Sequence, residues 1–321
     1  MKKSSWFAAA VLALGFAAVS PAQAQQKLVS VLAIVEHPAL DAVRDGAHEA
    51  LEEAGYKEGE NLKWQYQSAQ GNNATAAQIA RKFIGDKSDV IIGIATPTAQ
   101  AVVAATKTIP VVFAAVTDPV AAKLVSGWGA SGTNVTGVSD VLSLEKQMDL
   151  LREVVPDAKR VGMVYNPGEA NSKVVVEALK KLLPTMGMEL VEAGAPRTVD
   201  VGSAARSLVG KVDVIYTNTD NNVVSAYESL VKVGQESKIP LIASDTASVE
   251  RGAVAALGID YYDMGKQTGR MVARILDGAD PGEIPVETSD NLELYVNPMA
   301  GAKQGIVVPD SLIERATKVV E

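Results

Sequence analysis

The chain has no cysteine, only two histidines, and few aromatic residues, 5% of 321. Without cysteine there is no disulfide, no thiol nucleophile, no thiolate metal ligand and no site for a lipid anchor behind a leader peptide. His37 and His48 stand eleven residues apart, without metal-pair spacing, so no metal site is expected. His37 reads as a capping or rim residue. G-x-S-x-G, P-loop and C-x-x-C patterns are all missing. Gly127-Trp128-Gly129-Ala130-Ser131-Gly132 spells G-x-G-x-x-G, yet it neither follows an apolar strand nor opens a periodic helix, and it reads as a flexible loop. The expectation is a protein without cofactor and without catalytic chemistry. Basic clusters are also lacking, and a net charge of −8 would repel a polyanion, which argues against a nucleic-acid partner.

What is present begins with a leader. Lys2 and Lys3 precede the apolar run Trp6–Val19, and Ala22-Gln23-Ala24 supplies small residues for cleavage after Ala24. The run is shorter than the roughly 20 residues of a spanning helix, and no later run is longer. Residues 1–24 are therefore read as a signal peptide of an exported, periplasmic protein. Its removal takes away two lysines and no acid, so 297 residues carry a net charge of −10. That length suits two domains of about 150 residues.

One pattern occurs twice. Ser88–Ile92, Thr96-Pro97, Lys107–Val112 and Thr117-Asp118 are matched by Val212–Tyr216, Thr219-Asp220, Lys238–Ile242 and Asp245-Thr246. Each copy reads as strand, polar turn, helix, strand, turn, and the alternation extends to Leu28–Val35, Asn61–Gln67, Arg160–Tyr165 and Glu189–Ala193. Apolar strands alternating with amphipathic helices specify parallel sheets, here in two similar α/β lobes. The spacing assigns 25–137 with 249–282 to the first lobe and 138–248 with 283–321 to the second. The chain is expected to cross over 127–144, at 248–252 and at 282–289, with helices over 222–235, 261–276 and 311–320 and a strand over 292–296.

Ligands of open parallel sheets bind at the carboxyl ends of strands, beside helix N-termini. Six polar turns fall there: Glu36-His37-Pro38, Thr96-Pro97-Thr98, Thr117-Asp118-Pro119, Asn166–Ser172, Thr217–Asn221 and Ser244-Asp245-Thr246. Each residue alone is explained as a helix cap. Together they suggest one cleft that holds both ends of a zwitterion, with a carboxylate on Thr96 and Thr98 or on Asn171 and Ser172, and an ammonium near Asp118, Glu169, Asp220 or Asp245. Phe113 and Tyr165, at or near strand ends, are the candidates for stacking on a flat side chain.

His37–Asp41, Ile109–Phe113 with Val116–Val120, Asn134–Ser139, Tyr165–Ser172, Thr219–Asn221, Ile239–Asp245 and Gly258–Gly265 together resemble the ABC-transporter substrate-binding family that includes tryptophan and tyrosine uptake proteins. The resemblance spans the mature chain. It implies a type I periplasmic-binding-protein fold, two Rossmann-like lobes hinged by three crossings. It also implies a monomer that closes over a small ligand and hands it to an ABC permease in the inner membrane. The family's cleft motifs fall on Thr96, Thr117, Asp118, Glu169, Asn171, Ser172, Asp220, Asn221 and Asp245. An amino acid, aromatic by preference, is the implied ligand, with branched-chain or other amino acids and non-amino-acid solutes left open. A sensor that docks to a membrane receptor, and an enzyme on the same scaffold, are the alternative readings.

Overall fold

Lys27–Ala33 forms the first strand, β1, and its last five residues are buried on both faces, as a parallel sheet covered by helices requires. The computed structural model describes residues 26–289 and 291–321, so the expected leader lies outside the described residues. From β1 the chain alternates through α1 (Pro38–Glu53), β2 (Leu62–Ser68), α2 (Asn73–Gly85), β3 (Val90–Ile94), α3 (Thr96–Ala105), β4 (Val111–Val116) and β5 (Val135–Ser139). Local chemistry sets the helix starts. His37 Nδ1 and Asn72 Oδ1 accept first-turn N–H bonds, and Pro38 opens α1 where its missing N–H costs nothing.

The second lobe contains α4 (Leu144–Val154), β6 (Arg160–Tyr165), α5 (Ala170–Thr185), β7 (Glu189–Gly194), α6 (Val201–Ser207), β8 (Val214–Thr217), α7 (Asn221–Ser225), α8 (Tyr227–Ser237), β9 (Leu241–Ala243), α9 (Ala247–Glu250) and β10 (Ala255–Ile259). Then follow α10 (Tyr261–Leu276), β11 (Glu287–Thr288), β12 (Leu292–Val296), α11 (Pro298–Lys303), α12 (Asp310–Arg315) and β13 (Lys318–Val319). One sheet runs β11-β5-β4-β3-β1-β2 and the other β13-β12-β10-β9-β8-β6-β7. Every pair is parallel except β10 with β12. The first five strands of each lobe take the same relative positions, so the sequence repeat is a repeat of topology.

Three expectations about the chain path need correction. Residues 135–139 are not a crossing but β5, paired with β4 from Val111↔Val135 to Val116↔Ser139. The Gly-rich loop before it belongs to the first lobe, where Gly132 N donates to Gly282 O and Val286 N to Trp128 O. The chain does not return to the first lobe at 248–252. The edge of β9 is still open there, and β10 fills it, Ala255 opposite Ile242. The return comes at Asp260, and because β11 pairs with β5, the third crossing falls between Thr288 and Leu292. The expected helix over 311–320 ends at Arg315, and Lys318–Val319 instead extends the second sheet along β12.

Once back in the first lobe, α10 packs on α1 at backbone contact. A Cβ on Gly265 would stand 2.3 Å from the Val43 carbonyl oxygen, and one on Gly269 2.4 Å from that of Ala47. Glycine is required there by close approach, and the contact fixes the start of α10 beside the interlobe cleft.

Candidate functional site

The carboxyl ends of β1, β3, β4, β8 and β9 open into one cleft between the lobes, about 340 Å³ of space between its lining atoms. The first lobe contributes His37, Leu40, Thr96 and Thr117, together with Tyr261 at the start of α10. The second contributes Asn171 from α5, Thr219, Asn221 and Val224 around the start of α7, and Asp245 after β9, while Asp140 comes from the first crossing. Two of the turns are strained. Ala95 (φ 76°) ends β3 and Ala115 (φ 53°) forms a bulge in β4, both in left-handed backbone that non-glycine residues rarely occupy. Such conformations cost about 1–3 kcal/mol each and persist where the surroundings hold them.

A second, larger chamber, about 660 Å³ of space between its lining atoms, adjoins the first and shares Thr117, Asp140 and Thr219 with it. Part of its wall is aliphatic, from Val141, Leu142, Leu144, Val174, Val175 and Ala178, and Asp118, Tyr216, Asn218 and Ser244 complete the lining. Buried polar atoms without a hydrogen-bond partner concentrate around the two chambers. Thr96 Oγ1, Asp140 Oδ1 and Asn171 Oδ1 belong to residues that line the first, and Asn218 Oδ1 and Ser244 Oγ to residues that line the second. An unsatisfied buried polar atom costs about 1–3 kcal/mol, so a cluster of them is a site that a ligand would complete.

Behind this lining lies a saturated polar layer. Asp220 caps α7, its Oδ1 accepting from Asn222 N (3.0 Å) and Val223 N (3.1 Å) and its Oδ2 from Ser172 Oγ (2.6 Å) and Asn166 N (2.7 Å). Glu169 Oε2 accepts from Asn171 Nδ2 (3.0 Å) and Asn221 Nδ2 (2.7 Å), and so orients two amides of the cleft. Burial and the neighbouring Asp220 charge push the Glu169 carboxyl up to about 7. Burial also raises Asp220, Asp140 and Asp245. His37 is driven down to about 3, first by burial and then by the Arg251 charge, so its imidazole is neutral and can accept the Leu40 N–H.

The residues expected from sequence divide into three groups. Thr96, Thr117, Asn171, Asn221 and Asp245 line the first chamber, and Thr117 and Asp118 line the second. Glu169, Ser172 and Asp220 stand behind, holding the lining in place. Thr98, Phe113 and Tyr165 are elsewhere. The Thr98 hydroxyl bonds back to the carbonyls of Ile94 and Ala95, because a threonine early in a helix reaches its own preceding turn. Phe113 is fully buried in the first core against Gly137, since its strand position faces the covering helices. The Tyr165 hydroxyl donates to Glu192 (2.8 Å) on the neighbouring strand β7 at the sheet edge.

Sequence reasoning missed Asp140 and Tyr261. The Tyr261 hydroxyl donates to Asp140 Oδ2 (2.9 Å), joining the start of α10 to the first crossing. The signal for Asp140 is the polar pair Ser139-Asp140 after a short strand, legible only once 135–139 is read as one, and for Tyr261 it is the cap Asp260 at the start of α10.

Residues 28–320 match the family model described as ABC transporter substrate binding protein. A tyrosine-binding protein of Clostridioides difficile (strain R20291) is 44% identical over 273 residues, 85% of this chain and 79% of the relative. Among solved structures, an ABC domain from Streptococcus pneumonia in complex with L-Trp is 34% identical. It superposes with a TM-score of 0.88 over 92% of this chain and 100% of its own. The ligand-free, open structure of a substrate binding protein with adhesive properties from Clostridium difficile is 43% identical over 92% of this chain and 99% of its own, yet reaches only 0.69. The arrangement of this chain is therefore nearer to that of the tryptophan complex than to that of the ligand-free, open structure. With two lobes of parallel strand order, three crossings and a cleft at their strand ends, the fold is that of type I periplasmic binding proteins, and the chain belongs to the ABC transporter substrate-binding protein family.

Proposed function

We propose that this protein binds an aromatic L-amino acid between its lobes, without covalent chemistry, and delivers it in the periplasm to an ABC permease of the inner membrane. The observation that carries this reading is the pairing of two unlike chambers, one lined mainly by polar turns and one with an aliphatic wall, both bordered by unpartnered polar atoms and joined at Thr117, Asp140 and Thr219. The ligand carboxylate sits at the start of α3, where first-turn N–H groups lack helical partners and the Thr96 hydroxyl has none. The ring enters the aliphatic chamber, where burying apolar surface contributes about 25 cal/mol per Å². Relatives that bind tyrosine or tryptophan support the same ligand class. The mature chain, free of its leader after Ala24, acts as a monomer, because closure needs only its own two lobes.

Closure follows from differential contact. A ligand held by one lobe alone gains nothing from closing, whereas one that touches both stabilises only the closed state. A thermal-shift series over the common amino acids and simple sugars tests the reading. Tyrosine or tryptophan should raise Tm by an amount corresponding to about 2.7 kcal/mol at a hundredfold excess over Kd. No shift with any amino acid would sink the ligand class. Loss of tyrosine or tryptophan uptake in cells lacking the gene tests delivery separately.

A further inference from the structure

Five carboxyls surround the two chambers, and their hydrogen bonds separate them. Asp220 and Glu169 are saturated as described above. Asp245 accepts Ser248 N on Oδ1 (2.8 Å) and Ser248 Oγ on Oδ2 (2.7 Å). Asp118 caps the turn that follows it, accepting from Val120 N and Ala121 N (3.0 and 2.9 Å), and keeps partial contact with solvent. Asp140 is different. It is 4% exposed, its Oδ2 accepts from Tyr261, the Thr117 hydroxyl lies near enough to favour its charged form, and its Oδ1 makes no hydrogen bond of good geometry, although the residue lines both chambers.

Among the described residues no lysine or arginine lines either chamber, and the histidine that does, His37, accepts a backbone N–H as a neutral ring. Arg251, whose charge reaches His37 and Asp245, is taken up by Glu228 and the Val224 carbonyl. A buried carboxylate with one free oxygen and no protein cation is costly to ionise, and a cation arriving with the ligand repairs it. We propose that Asp140 is the residue that receives the ligand's ammonium group, its oxygen aimed by Tyr261 at the junction of the polar and aliphatic chambers. This assignment rests on the amino-acid reading above. It defines the ligand as a primary amine whose charged nitrogen sits between its carboxylate and its apolar side chain. Because Asp140 lies on the first crossing and Tyr261 begins α10 just after the second, the bound amine also ties together two of the three hinge segments.

Calorimetry with L-tyrosine and its desamino analogue 3-(4-hydroxyphenyl)propionate, on the wild-type chain and on Asp140→Asn, tests the assignment. The near-isosteric asparagine can still accept from Tyr261. Wild-type protein should bind tyrosine about 10- to 100-fold more tightly than the analogue, the range of a charge-assisted hydrogen bond. Asp140→Asn should lose that factor for tyrosine while binding the analogue at least as well as wild-type does, since no carboxylate is then left beside it without a cation, and an unchanged circular dichroism spectrum shows that the variant is folded. Unchanged tyrosine affinity in the variant would overturn the assignment and leave the ligand reading standing. So would an equal loss for both compounds, since that marks a structural role. Wild-type protein that binds no aromatic amino acid would overturn the ligand reading, and with it the amine partner assigned to Asp140.

Discussion

Glu169 illustrates how one buried side chain serves the site without lining it. It holds the amides of Asn171 and Asn221, yet its carboxyl is raised to about 7 by burial and by Asp220. A carboxyl whose folded pKa exceeds its unfolded value binds more protons when folded, so stability falls as pH rises between the two values. Acidification from about pH 8 to about pH 5.5 should therefore raise the stability of the unliganded protein, by on the order of 1–2 kcal/mol from this group. Asp140, Asp220 and Asp245 act in the same direction. Paired surface carboxyls such as Asp213, lowered to about 2, begin to cost stability only at lower pH. In Glu169→Gln the rise should shrink, measured as Tm against pH, and an unchanged slope would show that Glu169 is ionised throughout. At this scale the sequence was a good guide to residue type and a poor one to orientation. Thr96 and Thr98 belong to one helical turn, yet Thr96 lines the cleft while Thr98 bonds to the carbonyls behind it. Nothing in the pattern Thr-Pro-Thr distinguishes them.

Elements were legible where the hydrophobic pattern was long. Both α10 and the strands β6 and β12 lie at the residues their periodicity or apolar run marks. Short or mixed segments were not. Val135–Ser139 carries Thr136 and Gly137, and Gly137 is there because any Cβ would strike Phe113, so a packing requirement hides the strand. The helix expected over 222–235 is two, α7 and α8, broken at Ala226, which lets Val224 face the cleft while Tyr227 turns into the core with its hydroxyl on Thr217 (3.2 Å). The α1–α10 crossing gives a direct test. Gly265→Ala would place a methyl against the Val43 carbonyl and should cost about 2 kcal/mol or more in urea unfolding. Because α10 carries Tyr261, ligand affinity should fall as well. A neutral substitution would mean that the helices can separate freely.

At the scale of the whole molecule, the lobes are held by three short crossings, at 140–143, at Asp260 and between Thr288 and Leu292. Each lobe keeps its own core, one around the first sheet and one on each face of the second, so the lobes can move as rigid units. Unliganded protein in solution should sample the open arrangement seen in the ligand-free relative, and saturating ligand should reduce its radius of gyration in X-ray scattering. A value unaffected by a ligand that demonstrably binds would contradict hinge closure. The two-lobe α/β architecture followed from the sequence itself, because alternating apolar strands and amphipathic helices, given twice in the same order, leave parallel sheets as their way of burying both strand faces. The polar turns at strand ends were equally determined, since they are local. Which lobe receives β10, where the chain crosses, and that Asp140 and Tyr261 meet across 121 residues were decided only by tertiary structure. An open strand edge and a glycine-lined helix contact are properties of surfaces that exist only after the lobes have formed.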